Sequence, residues 1–460
     1  MGGLATGIAG RVALGGARRL AQGERPALQD LLLTPRNARR LTEELSRMRG
    51  AAMKLGQLLS MEAGDILPPE LSGILSRLRA EAHVMPPKQL KSVLAAAWGP
   101  DFLRRFARFD VQPIAAASIG QVHRALTRDG RDLAIKVQYP GVRRSIDSDL
   151  RNLSALIRAS GMLPRTLDIR PLLEEARRQL HEEADYEREG ACLARFGTLL
   201  ADDPAFLVPA LHADLTTSDI LAMDFVAAAP VESLAERPQP ERDCAAARLI
   251  ALTLREIFEF RWMQTDPNFA NYRVQPESGR IVLLDFGATR EVSPQVQTQL
   301  AQILETGLAG DQPALERVAV EAGLMPPNAP EALRAEMMAV AEMAFAPLRQ
   351  TAPFDFGRSD LVARMRAAGM EVGGDSSHWH IPPADMLFLQ RKVGGIYLLC
   401  ARLGARVPLA QLLAPYQTGP ALRMPAEGAR LSRATGCGGS RRNRGAPASH
   451  RDCPWPRARP

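Results

Sequence analysis

The stretch "MQTDPNFANY", residues 263–272, sets one carboxylate, Asp266, beside two carboxamides, Asn268 and Asn271, among apolar and turn-forming neighbours. It runs directly into "RVQPESGRIVLLDFG", residues 273–287. Two short apolar runs flank the turn-forming QPESG, and this pattern predicts a β-hairpin of NYRV against RIVLLDFG. The second run ends in an acid, Asp285, followed by Phe286 and Gly287. A carboxylate at the end of a buried strand, with glycine close by, can reach a hard cation such as Mg²⁺, which prefers oxygen ligands.

Working outward, residues 240–262 predict one strong helix leading into this stretch. Residues 109–139 have a different character. Short apolar and alternating runs, an Asp129–Gly130 turn and the run LAIKVQ predict a hairpin with Lys136 on its second strand. A single helix is expected over 169–196, then strands near 206–211 and 219–225. Residues 294–415 are helical in pattern. Residues 39–60 and 69–80 also read as helices, with Pro68–Pro69 as the break. The fold class expected is α+β: a small β-rich lobe with one long helix, then a larger helical lobe.

Composition narrows the function. The formal net charge is +7, but residues 417–460 hold nine Arg and two acids, so the other 416 residues balance at 49 basic and 49 acidic. The body is therefore not a basic nucleic-acid-binding surface. The tail, rich in Arg, Pro and Gly, reads as disordered. Cys192, Cys244, Cys400, Cys437 and Cys453 form no CxxC pair, which argues against a disulfide framework or a zinc site and fits a reducing compartment. His378 and His380 read as loop surface rather than metal ligands. No run of 18 apolar residues predicts a spanning helix. The first residues carry Arg without acid before Glu24 and suggest a transit-like or membrane-surface segment.

Lysine use is informative. Of 58 basic residues only Lys54, Lys88, Lys91, Lys136 and Lys392 are lysine. Where Arg serves almost everywhere, a Lys raises the question of whether a compact ammonium is needed. Lys54 and Lys136 lie in unusually patterned stretches; Lys88 and Lys91 do not.

Asp266-x-x-x-x-Asn271 has the spacing of a protein-kinase catalytic loop, in which an acid orients the acceptor and an amide oxygen binds metal. Asp285-Phe286-Gly287 follows, and Ala134-Ile135-Lys136 matches a strand lysine that contacts nucleotide phosphates, with Glu189 as its helix partner. Two features depart from ordinary protein kinases. Ala115, Ala116, Ala117 and Ser118 stand where a glycine-rich loop is expected, so this loop should be stiffer. Gln264-Thr265 replaces His-Arg before Asp266, and no A-P-E segment follows Gly287.

With KLGQ at 54–57, AAAS at 115–118, AIKVQYPG at 134–141, EADYEREG at 183–190, MQTDPNFAN at 263–271, LLDFGATR at 283–290 and MLFLQRKVGGIYLL at 386–399, the sequence resembles the UbiB family. These are atypical kinase-like proteins, also called AarF-domain or coenzyme Q kinase-like. The resemblance covers roughly residues 1–415. It implies a protein-kinase-like two-lobe fold with a family-specific N-terminal helical extension. The segments expected are 1–38, in contact with a membrane; 39–105, the K-x-G-Q extension; 106–228, the N-lobe; 229–416, the helical C-lobe; and 417–460, the tail.

The resemblance also implies roles. Lys136 would hold phosphates and pair with Glu189, with Ala115–Ser118 beside the nucleotide. Asp266 would be the catalytic acid, and Asn271 and Asp285 the metal ligands. Lys54 and Gln57 belong to a helix over the peptide path, faced by the Glu183 and Asp185 pair. Gly190 and Cys192 depart from the family's E-A-x-N pattern, which puts the orientation of Glu189 in question. The activity implied is Mg²⁺-dependent hydrolysis of ATP, or phosphorylation of a small or lipid-like molecule, in support of ubiquinone biosynthesis. ATP or ADP and Mg²⁺ are the cofactors. A lipid or quinone precursor, a membrane surface and ubiquinone-biosynthesis proteins are the partners. The implied location is the cytoplasm or inner-membrane periphery of a bacterium, or the matrix side of a mitochondrion. Two other readings stand beside it: a true protein kinase, and a nucleotide-gated scaffold for a biosynthetic complex.

Overall fold

The computed structural model describes residues 84–160, 170–372 and 382–417. Lys54, Gln57, the helices expected at 39–60 and 69–80, His378, His380 and all but the first residue of the 417–460 tail lie outside these. The chain divides into two compact units, residues 1–194 with 210–225, and residues 195–209 with 226–460.

The first unit combines a five-stranded sheet with several helices rather than the one long helix expected. Helix α1 (Pro87–Trp98) precedes β1 (Phe106–Phe109), β2 (Ala115–Ala116), β3 (Gly120–Thr127) and β4 (Asp132–Gln138). Helices α2 (Val142–Ser160), α3 (Arg170–Glu183) and α4 (Tyr186–Leu199) follow; the chain leaves for β5 (Phe206–Leu207) and returns for β6 (Ile220–Asp224). The sheet runs β1-β3-β4-β6, all antiparallel, with β2 added to β3. The expected β3–β4 hairpin is present. Gly130 closes its turn at φ 91°, a conformation open to glycine without a Cβ penalty. Strand β4 is central, and Lys136 lies opposite Val122 on one side and Leu221 on the other. Leu94, Trp98, Phe102 and Phe106 pack with Leu133, Ile135 and Val137 to form the core of this unit.

The helix expected at 169–196 is two helices. The Ala184 carbonyl is drawn out of the ladder by two side chains, Gln138 Nε2 donating at 2.7 Å and Arg143 at 2.8 Å. Asp185 then restarts the helix by accepting from the Arg188 amide at 3.1 Å, as an N-cap does.

The second unit is mainly helical. After β7 (Ala229–Pro230), α5 (Gln239–Arg255) passes into a π-helical turn, Glu256–Phe260, and Arg261 turns left-handed at φ 52°. The helix expected through 262 thus ends early, and β8 (Trp262–Gln264) begins. The expected hairpin is β9 (Tyr272–Val274) against β10 (Ile281–Leu283), within the sheet β5-β10-β9-β7. Strand β11 (Thr289–Glu291) pairs with β8. Helices α6 (Pro294–Ala309), α7 (Gln312–Glu321), α8 (Glu331–Phe345), α9 (Leu361–Val372), α10 (Ala384–Leu403) and α11 (Leu409–Leu413) complete the unit. The only departures from the helical expectation among the described residues here are 3₁₀ turns, loops and the short pair β12 (Phe354–Asp355) and β13 (Arg406–Val407). No described helix is long and apolar enough to cross a membrane.

Candidate active site

In the first unit, the strand lysine and the helix glutamate meet. Lys136 Nζ donates to both carboxylate oxygens of Glu189, at 2.8 and 2.9 Å. Both residues are buried, at 7% and 1% exposure. A buried charge requires a partner of this kind, because desolvation of an isolated ion is costly. The Tyr186 ring lies 5.1 Å from Nζ.

Gly190 does not misplace Glu189, because α4 is continuous through both residues. A Cβ at 190 would stand 3.1 Å from Leu211 and 3.4 Å from Leu221. Glycine therefore exchanges helix propensity for close packing against these side chains.

The alanine stretch forms a tight corner. Ala115 and Ala116 pair with Val122 and Gln121, and the Ala117 amide donates to the Gly120 carbonyl at 2.9 Å. A Cβ on Gly120 would lie 2.3 Å from the Val137 carbonyl, so only glycine fits there. Ser118 Oγ donates to Glu183 at 3.0 Å, tying this corner to the acidic pair. Asp185, the other acid of that pair, caps α4.

In the second unit, Asp266 and Asn271 are in direct contact. Asn271 Nδ2 donates to the Asp266 carboxylate at 3.1 Å and to its backbone carbonyl at 3.2 Å. Asn268 caps the 3₁₀ turn between them by accepting from the Ala270 amide at 3.1 Å. The Asn271 carbonyl accepts from Leu284 at 3.1 Å, which brings Asp285 alongside. Asp285 Oδ1 accepts from the Gly287 amide at 3.0 Å, and Phe286 is buried against Phe196 with ring centroids 4.8 Å apart.

The donor set suits Mg²⁺. The amide nitrogen of Asn271 is committed to Asp266, so its oxygen is the end left for a metal. With the Asp285 carboxylate, two oxygens beside the ends of β9 and β10 could hold a metal. Among the described residues no cluster of three or more His, Cys, Asp or Glu offers a protein-only cage. Two protein oxygens would leave the rest of a Mg²⁺ shell to phosphates and water.

Comparison with known proteins shows the family. A domain described as the ABC1 atypical kinase-like domain matches residues 77–319. The chain belongs to the ABC1 atypical kinase-like family. The Saccharomyces cerevisiae protein named Atypical kinase COQ8, mitochondrial, is 36% identical over 412 residues, covering 89% of this chain and 82% of its own. The Caenorhabditis elegans protein named Atypical kinase coq-8, mitochondrial, is 37% identical over 382 residues; the match covers 82% of this chain and 50% of that protein. A Mycobacterium tuberculosis protein, Rv3197, solved in complex with erythromycin, shares the fold. Its TM-score is 0.60 at 24% identity, over 84% of this chain and 97% of that one. The UbiB resemblance and the kinase-like α+β fold expected from the motifs are therefore borne out.

For this ABC1-family chain, sequence reading noted the 386–399 stretch but passed over what its residues touch. Arg391 donates to Asp266 Oδ1 at 2.8 Å. Lys392, 1% exposed, lies 2.8 Å from Glu256, itself 1% exposed. Its Nζ also donates to the Tyr272 hydroxyl at 3.2 Å and to Gln264 Oε1 at 3.5 Å. Burial alone would push Lys392 down, but Glu256 and Tyr272 outweigh it and hold the ammonium above the usual lysine range. Burial pushes Glu256 up, opposed by the attraction of Lys392. At 2.8 Å we take the pair as Lys⁺ with Glu⁻. One sequence feature pointed here: Lys392 is one of only five lysines.

Proposed function

We propose that this chain is an ATP-binding, Mg²⁺-dependent atypical kinase or ATPase that supports ubiquinone biosynthesis, acting on a small or lipid-like molecule at a membrane surface. The kinase character follows from the family. The names of its COQ8 relatives support the pathway, and the mitochondrial label in those names supports a matrix-side location if the chain is eukaryotic.

Lys136, fixed by Glu189, contacts nucleotide phosphates in this reading, with Ala115, Ala116, Ala117 and Ser118 forming the nearby corner. Asn271 and Asp285 hold the metal, and Asp266 takes the catalytic-acid position. Bound Mg²⁺ neutralises charge on the phosphates. Lys54 and Gln57 would cover the peptide path, facing Glu183 and Asp185.

The observation that carries a small acceptor rather than a peptide lies just after Gly287. Only residues 288–293 separate it from α6, and β11 occupies 289–291 of them, paired to β8. A segment this short and this fully paired leaves little chain for docking a peptide.

The test is ATP turnover by the full chain, with and without anionic liposomes and a phenolic quinone precursor. Mg²⁺-dependent turnover that Asp285→Asn abolishes supports the reading. No turnover under any of these conditions, with no ADP–Mg²⁺ stabilisation, refutes it. One observation favours a nucleotide-gated scaffold as the second reading: both Asp266 carboxylate oxygens are engaged, by Arg391 and by Asn271. Asp266→Asn that binds nucleotide and still supports ubiquinone synthesis would select the scaffold.

A further inference from the structure

Four segments of the second unit meet at Lys392. Glu256 comes from the π-helical turn after α5, Gln264 from the end of β8, Tyr272 from the start of β9 and Lys392 from α10. The ammonium is ion-paired with Glu256 at 2.8 Å and donates to Gln264 at 3.5 Å and to Tyr272 at 3.2 Å. Two of these acceptors connect onward to the candidate site. Gln264 Nε2 donates to the Asp266 carbonyl at 2.7 Å. Tyr272 directly follows Asn271 and pairs with Leu283, two residues before Asp285. Glu256, Lys392, Tyr272, Asn271 and Asp285 all line one cavity.

The cost of this arrangement is itself an argument. Two opposite charges, each 1% exposed, contribute little net stability compared with an apolar pair of the same size. A hydrophobic core at this point would serve the fold as well. What an apolar pair would not do is fix the Tyr272 hydroxyl and the Gln264 amide by directional hydrogen bonds. Glu256 reaches its place through a π-helical turn, a rare local form that is frequent at functional sites.

We propose that the Glu256–Lys392–Tyr272 cluster, joined to the Asp266 backbone through Gln264, is the positioning unit of the metal ligands Asn271 and Asp285, so that metal affinity depends on a lysine that never touches the metal. This rests on the reading of Asn271 and Asp285 as metal ligands. Lys392, Glu256 and Tyr272 are positioning residues. They act by holding β9 and the end of β8 in one arrangement, as outer hydrogen-bond partners do for metal ligands generally.

The test measures metal binding directly. Mn²⁺, a hard divalent cation visible by electron paramagnetic resonance, is titrated into the full chain with saturating ADP. ADP binding without metal and the melting temperature are measured in parallel. The variants are Glu256→Met/Lys392→Met, which replaces the buried pair by apolar groups, and Tyr272→Phe, which removes one hydroxyl.

The expected result is a folded double variant that binds metal-free ADP as the wild type does but binds Mn²⁺ about 10- to 100-fold more weakly. Tyr272→Phe should weaken Mn²⁺ in the same direction by a smaller factor. A folded double variant with Mn²⁺ affinity within about twofold of wild type overturns the inference, because this is what a purely structural pair would give. If the double variant does not fold, Tyr272→Phe decides: unchanged Mn²⁺ affinity overturns the inference and a weakened one supports it. If the wild type binds no Mn²⁺ with ADP, the metal-site reading itself has failed, and the inference falls with it.

Discussion

Gly394 and Gly395 are neighbours on α10, and replacing each with alanine tests how that helix supports Asp266. Alanine favours a helix interior over glycine by about 1 kcal/mol. A Cβ at 394 meets nothing within 4 Å, so Gly394→Ala should realise that gain in full. A Cβ at 395 would stand 2.1 Å from Pro267 Cβ and 2.5 Å from its Cγ, where ordinary contact begins at 3.4 Å. The proline must therefore retreat by roughly the difference between 3.4 and 2.1 Å, about 1.3 Å. Overpacking of this kind costs about 1–3 kcal/mol. Set against the helix gain, Gly395→Ala should come out near neutral to about 2 kcal/mol destabilised. The two variants should then differ by about 1–3 kcal/mol, or roughly 2–12 °C in melting temperature at about 2–4 °C per kcal/mol. Function should separate them further. Pro267 is bonded to Asp266, and a misplacement of about 1 Å in a reacting group can cost about 100-fold in rate. Differential scanning calorimetry and ATP turnover on the same samples check both expectations. If the variants melt within about 1 °C of each other and turn over equally, the α10 contact does not position the catalytic loop.

Two further outcomes follow from the first unit. Lys136→Met or Glu189→Leu alone leaves a buried charge without its partner and should cost about 3–5 kcal/mol. The double variant should recover most of that loss, so a coupling energy below about 0.5 kcal/mol in urea unfolding would refute a buried ion pair. His123 is fully buried, its Nδ1 on the Asp110 carbonyl and its Nε2 on Gln121, and burial pushes its pKa below the usual histidine value of 6.5. Below about pH 6.5 the unfolded chain therefore binds more protons, so the stability from neutral His123 is complete above that pH and is lost as pH falls through the folded pKa. Melting temperatures from pH 7.5 to 5 should fall more steeply for the wild type than for His123→Gln, and equal slopes would refute this.

The parts of the site visible in the sequence are those set by local hydrogen bonds. Asp266 and Asn271 lie on one short turn, so their spacing records a contact that the chain makes with itself. The two hairpins were legible because Asp129–Gly130 and QPESG carry turn chemistry between apolar runs. The helix break at Ala184 was not legible. Helical periodicity continues across it, and the groups that capture the Ala184 carbonyl come from Gln138 and Arg143, far back in the chain. The π-helical turn was missed for a related reason. Its residues fit an ordinary helix pattern, and what distinguishes Glu256 is a lysine more than a hundred residues later.

The placement of the few lysines carries structural information of its own. In a chain that otherwise uses Arg, the described lysines divide into two kinds. Lys88 and Lys91 are exposed, while Lys136 and Lys392 are buried, each against a glutamate that is 1% exposed. A guanidinium is a planar fork suited to a carboxylate at a partly open site; Arg391 meets the half-buried Asp266 with one terminal nitrogen on Oδ1. An ammonium is a compact charge that can direct three bonds to three separate acceptors in a closed space. At 392 those acceptors belong to the π-turn, to β8 and to β9, a geometry that the Arg fork does not match. Lys392 thus stands where several elements converge on one point charge. Periodicity and motif spacing do not carry that information, because both describe residues near one another along the chain.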